Sequence, residues 1–146
     1  MSRKHAHAGF TMVEMLTVLV VLMILIGLVV GVGKYIYDDS LRKQTVTTMD
    51  VLNNALQAFY AANSNTYPGS AVSGAGVITA LNAGGADVQA RLNDLPKDAV
   101  KDGVLVDGFG RAISYDPTGG LGGRPVFISG GPDGTNGTPD DIRSDR

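Results

Sequence analysis

An apolar run from Phe10 to Val32 carries a single ionisable residue, Glu14. Its 23 positions, as an α-helix rising ~1.5 Å per residue, reach roughly the ~30 Å of a bilayer core. A membrane span is therefore the first expectation for this chain. A carboxylate at membrane depth is costly, so something has to compensate Glu14.

The residues upstream suggest what does. Met1 to Gly9 is short and basic, with Arg3, Lys4, His5 and His7, and its glycine directly precedes Phe10. An ordinary secretory signal has a shorter apolar region followed by an A-x-A-like site, and Val32-Gly33-Lys34-Tyr35 gives none. A plain signal anchor has no use for Glu14 five residues after Gly9. The stretch Gly9-Phe10-Thr11-Met12-Val13-Glu14-Met15-Leu16 resembles a type IV prepilin leader. The resemblance implies a prepilin peptidase and methyltransferase that cuts after Gly9 and methylates the new amine of Phe10. It also implies that Glu14 neutralises the amine of a neighbouring subunit during filament assembly. Independently of it, positions 10 and 14 share a face across one helical turn. The free N–H groups and positive dipole end of a helix start favour a carboxylate there.

The chain has 146 residues, room for one anchor and one small domain. Its formal net charge is −2, and loss of Arg3 and Lys4 with the leader leaves 10 basic against 14 acidic residues, net −4. No basic patch invites nucleic acid. Cysteine is absent and both histidines, His5 and His7, lie in the leader. A mature chain lacks the commonest general base, the thiol nucleophile and the usual zinc ligands, which argues against an enzyme. Arg3 and Lys4 before the run, against Lys34 followed by Asp38 and Asp39, point the N-terminus to the cytoplasm. Tyr35 and Tyr37 suit the far interface, with the remainder periplasmic.

All six prolines follow Tyr67, and sixteen of the twenty glycines follow Ala62. From Phe10 to about Ala62 nothing forbids one continuous helix of ~80 Å. Leu41, Thr45, Met49, Leu52, Leu56 and Phe59 recur at spacings of three and four, opposite Asp50, Asn53, Asn54 and Gln57. Gly27 and Gly31 permit close helix packing or reflect ordinary glycine usage in membrane helices; local melting over 27–33 is a hypothesis for the fibre. Asn63 to Gly76 reads as a turn-rich linker, and Val77 to Leu95 as one or two short helices broken at Gly84-Gly85. Strand candidates are Gly103 to Val106, Arg111 to Tyr115 and Pro125 to Ser129. The expected fold is α+β: a long N-terminal helix, transmembrane then amphipathic, packed against a small three-stranded antiparallel sheet. The divisions are a leader over 1–9, a transmembrane and filament-core helix over 10–33, its amphipathic continuation over 34–62 and a periplasmic head over 63–146.

Asp107-Gly108-Phe109-Gly110-Arg111-Ala112-Ile113-Ser114-Tyr115 resembles the D-x-W-G-x-P-x-x-Y signature of the major, G-type pseudopilins of type II secretion systems, within the type IV pilin-like superfamily. Phenylalanine stands for tryptophan and Ala112 for proline. Physically, a turn aspartate, an aromatic and a glycine suit a strand connection, with Phe109 in the core. Farther on, Ser129 to Ile142 gathers Asp133, Asp140 and Asp141 on a chain bent by Gly and Pro. Calcium takes six to eight oxygen ligands, mixing carboxylates with carbonyls. A solvated acidic turn fits the same residues. The segment is similar to the calcium loop of G-type pseudopilins, which implies structural Ca2+ held by the Gly130 carbonyl, Asp133, Thr135, Asp140 and Asp141.

These resemblances imply an inner-membrane, single-pass subunit of a periplasmic pseudopilus that drives protein export. Its partners would be further copies of itself as a helical filament, the prepilin peptidase, minor pseudopilins and an inner-membrane assembly platform. Two alternatives stay open: a type IV pilin subunit for adhesion, motility or DNA uptake, and a membrane-tethered binding module that never polymerises.

Overall fold

A computed structural model describes residues 10–69 and 72–146 of the chain. Two compact units are present, Met1–Tyr37 and Asp38–Arg146. Helix α1, Met12–Ala62, contributes to both. In the first unit α1 is long and apolar enough to cross a membrane by length and composition. Its apolar side chains are exposed all round, from Met12 through Met23 to Val32, as expected of a segment whose solvent is lipid. No proline interrupts it, and the helix is unbroken at Gly27, Gly31 and Gly33. The melting hypothesised over 27–33 concerns the fibre; in the single chain this stretch is helical.

In the second unit the expected stripe of α1 is the buried one. Thr45, Met49, Leu52 and Leu56 are buried, with Thr48 and Ala55 beside them, while Asp50, Asn54 and Gln57 face solvent. The two threonines can be buried because each hydroxyl donates within the helix, Thr45 to the Leu41 carbonyl and Thr48 to that of Gln44. Met49, Leu52, Ala55 and Leu56 form one core with Val77, Ile78, Leu81, Val88, Leu105, Ile113, Tyr115, Phe127 and Ile142. Each large side chain removed from water this way contributes about 1.5–3 kcal/mol.

After α1 come β1 (Val72–Ser73), α2 (Gly74–Asn82) and α3 (Ala86–Leu92). The two short helices break at the expected glycines, and Gly84 is packed so closely that a Cβ there would lie 2.6 Å from Phe59 Cδ2. Then follow β2 (Val100–Lys101), β3 (Val104–Leu105), β4 (Ser114–Asp116), a 3₁₀ turn at Leu121–Gly123, β5 (Val126–Ser129) and β6 (Ile142–Arg143).

The architecture is the α+β one expected, with a different strand count. The main sheet is four-stranded and antiparallel in the order β1-β4-β5-β6. Tyr115 stands opposite Phe127, and Ser129 opposite Ile142. The segment around β3, expected to join this sheet, instead pairs with β2 as a separate hairpin. The cause is local: Asp102 (φ 52°) and Gly103 (φ 76°) form a two-residue turn with both central φ values positive, the geometry that favours tight hairpins. The vacated edge of β4 is taken by β1, from within the stretch read as a linker.

Candidate functional site

Gly9, the expected cleavage position, lies outside the described residues. Phe10 is 73 % exposed, and Glu14 sits in the first turn of α1. Thr11 caps that turn. Its N–H and hydroxyl both donate to Glu14 Oε2, at 2.9 and 2.8 Å, and the Glu14 N–H donates back to Thr11 Oγ1 at 3.2 Å. This is a capping box, a threonine and a glutamate three residues apart satisfying each other's free donors. The reading of the sequence missed Thr11, although the T-x-x-E spacing is legible. The box fixes the carboxylate at the helix mouth and leaves Glu14 Oε1 without a partner among the described residues, able to accept from a further donor, a cationic one included. Thr17, the other polar side chain of this stretch, donates to the Val13 carbonyl at 2.8 Å.

The five residues expected to hold a cation all lie on the loop between β5 and β6, and that loop is closed on itself. The buried Gly130 carbonyl accepts from the Gly134 N–H at 2.9 Å. Asp133 Oδ1 accepts from the Thr135 N–H at 2.7 Å, and Asp140 Oδ2 from the Asp133 N–H at 3.1 Å. Asp141 Oδ2 accepts from the Gly137 N–H at 2.8 Å. The Thr138 hydroxyl lies among three acceptors: Asp140 Oδ1 at 2.5 Å, the Thr135 carbonyl at 3.0 Å and Asp141 Oδ1 at 3.5 Å. It has one hydrogen to offer all three. The hydrogen bond from Thr138, followed by that from the Asp133 backbone, holds the Asp140 carboxyl below its ordinary value. An oxygen-only set of this kind suits a hard divalent cation. Among the described residues no three His, Cys, Asp or Glu side chains gather at one point. A cation held here would therefore draw on two carboxylates together with carbonyl and hydroxyl oxygens.

Beneath the loop lies a network that the sequence did not announce. Asp107, 5 % exposed, accepts from the Arg111 N–H at 2.8 Å and from the fully buried Ser129 hydroxyl at 2.6 Å. Ser129 Oγ in turn accepts from the Gly131 N–H at 3.1 Å, and Arg111 Nη1 donates to the Gly131 carbonyl at 2.5 Å. On the other side, the Gly108 N–H donates to Thr45 Oγ1 of α1 at 2.9 Å. Phe109, expected in the core, is only half-buried at its margin, with the Arg111 guanidinium 5.9 Å from its ring centroid. Two titrating groups complete the picture. Burial pushes the Tyr115 hydroxyl up to about 12, and it donates to the Pro68 carbonyl at 3.1 Å. The Arg143 guanidinium, bonded to Asp145 at 3.0 and 3.1 Å, holds that carboxyl below its ordinary value.

One long apolar helix entered through a Thr–Glu box is consistent with a membrane-anchored, single-pass protein. Residues 4–30 match the prokaryotic N-terminal methylation motif, which supports the pilin-like superfamily and implies processing by a prepilin peptidase. No curated protein and no solved structure matches the chain.

Proposed function

We propose that the chain is a structural, non-catalytic subunit of a type II secretion pseudopilus. The observation that carries the reading is the methylation motif over residues 4–30 coinciding with the exposed apolar run of α1, whose only carboxylate, Glu14, is fixed at its mouth. Cleavage after Gly9 frees an ammonium on Phe10. Glu14, with one oxygen held by Thr11 and one open, accepts the amine of the subunit added before it, and the apolar helices pack as the filament core. N-terminus in the cytoplasm and head in the periplasm, each subunit enters from the inner membrane through an assembly platform and contacts minor pseudopilins. The Asp107 to Tyr115 signature, in spite of Phe109 and Ala112, and the absence of cysteine favour this reading over a type IV pilin. Ca2+ bound by two of the carboxylates Asp133, Asp140 and Asp141, with carbonyl and hydroxyl oxygens of the same loop such as the Gly130 carbonyl and Thr135, would add binding free energy to a head that has no disulfide.

The test compares wild type with Glu14→Ala in a host carrying a prepilin peptidase and a secretion assembly platform. The expected result is a mature chain beginning at N-methylated Phe10 in both, with fibres and export lost in the variant alone. A variant that assembles like wild type refutes the role of Glu14. Long surface fibres without export favour the pilin alternative, and a tether that works without polymerising removes the filament reading.

A further inference from the structure

The hydrogen bonds below the loop form a closed circuit. Arg111 N–H reaches Asp107 Oδ1, Asp107 Oδ2 is reached by the Ser129 hydroxyl, Ser129 Oγ by Gly131 N–H, and the Gly131 carbonyl by Arg111 Nη1. One residue, Arg111, thus holds both ends: its backbone belongs to the turn that follows β3, and its side chain grips the start of the loop that follows β5. The guanidinium also lies directly under Gly134, where an added Cβ would come within 2.7 Å of Arg111 Nε and Cζ. Gly131 and Gly134 both adopt positive φ, 57° and 74°, and only glycine combines that backbone with such close approach.

We propose that Arg111 closes the inner half of the C-terminal loop, doing with a guanidinium what a divalent cation does in a metal-folded loop, so that Gly131 to Thr135 keep their conformation when such cations are removed. A guanidinium is suited to the task. It is always charged, it presents a rigid fork of donors, and it is attracted to an aromatic face, here the Phe109 ring whose centroid lies 5.9 Å away. It brings a permanent positive charge to the base of a loop with three carboxylates, Asp133, Asp140 and Asp141. A carbonyl gripped by a charged donor is held more strongly than by a neutral one. The inference rests on the functional reading only in leaving any calcium to the carboxylates of the loop, while Arg111 holds the Gly131 carbonyl whether or not the ion is bound. Calcium then tightens a loop that is already formed.

The experiment is amide hydrogen exchange on the full chain in detergent micelles, in chelator and then with calcium, for wild type and Arg111→Gln. In chelator the wild-type Gly131 and Gly134 amides should be protected. Loss of the charged hydrogen bond should speed their exchange roughly tenfold or more, while amides of α1 from Met49 to Leu56 stay unchanged. Should Arg111→Gln fail to fold, Gly134→Ala, which displaces the guanidinium, should show the same local acceleration. Wild-type amides that exchange freely in chelator and become protected only with calcium overturn the proposal. So does an Arg111→Gln chain that exchanges like wild type. Fibre formation and cleavage after Gly9 are scored separately, so failure of the Arg111 contact is distinct from failure of the filament reading.

Discussion

Gly108→Ala should be among the most damaging single-methyl additions in the head. Gly108 donates its N–H to Thr45 Oγ1, and a Cβ at this position would meet the Leu41 carbonyl oxygen and stand 2.9 Å from its carbon. The obstacle is helix backbone, which cannot rotate away as a side chain would. Forcing extra volume into a packed site costs about 1–3 kcal/mol. Separating the turn from α1 also forfeits the Thr45 hydrogen bond, about 0.5–1.5 kcal/mol. The sum is about 1.5–4.5 kcal/mol, a large part of the ~5–15 kcal/mol that holds a typical domain together. For a head of this size, at about 4 °C per kcal/mol, that corresponds to a fall in Tm of roughly 6–18 °C. Thermal unfolding of the full chain in detergent, followed by near-ultraviolet circular dichroism, reads it. Gly103→Ala is the control: it meets nothing within 4 Å but sits at φ 76°, so it should cost only the left-handed strain of about 1–2 kcal/mol. The double variant Gly108→Ala, Thr45→Ala should cost less than the two singles added together, because they break one contact. A Gly108→Ala protein that melts within about 2 °C of wild type refutes the close approach of this turn to α1.

Three further outcomes follow from the titrating and ligating groups. Asp145 has a folded-state carboxyl lowered by Arg143, so it contributes stability above the ordinary carboxylate value and that contribution is lost as pH falls through the folded-state value. Asp145→Asn should flatten the acid limb of a stability-versus-pH curve below about pH 4 and leave its shape near neutrality unchanged. Tyr115 titrates at about 12 in the folded head against the ordinary 10, so its stabilisation is present below pH 10 and falls away between 10 and 12; absorbance at alkaline pH should show one late tyrosine, missing in Tyr115→Phe. Calcium, and not magnesium, should raise the Tm, by an amount equivalent to ~2.7 kcal/mol at a hundredfold excess over Kd, and Asp133→Ala with Asp140→Ala should abolish the rise.

What could be read beforehand depended on the range over which each signal acts. Helix α1 was legible because apolar length and a spacing of three and four repeat over many turns, and the buried face from Thr45 to Leu56 follows from that spacing. The break at Gly84-Gly85 and the strands around Tyr115 and Phe127 were legible for similar reasons. Strands β1, β2 and β6 have two residues each, too few for any alternation to register. The Asp102-Gly103 hairpin carries a strong Asp-Gly turn signal, but the apolar residues that follow, Val104 to Val106, make Gly103 look like the start of a strand. At the N-terminus Glu14 stood out by charge, whereas Thr11 blended into the run. At the other end the acidic residues of the loop were conspicuous. Asp107, Ser129 and Arg111 were not, because what joins them is tertiary: 22 positions separate Asp107 from Ser129, and 20 separate Arg111 from Gly131.

The central claim is that this chain polymerises through its N-terminal helix, with Glu14 as the receiver of a neighbour's amine. Electron cryo-microscopy of fibres, formed with a prepilin peptidase and a secretion assembly platform present, tests it most directly. The account predicts a helical filament with the apolar part of α1 at its centre and each N-methylated Phe10 amine within ion-pair distance of Glu14 on an adjacent subunit. A fully processed, membrane-held protein that forms no fibres, or a filament map in which Glu14 meets no amine, contradicts it.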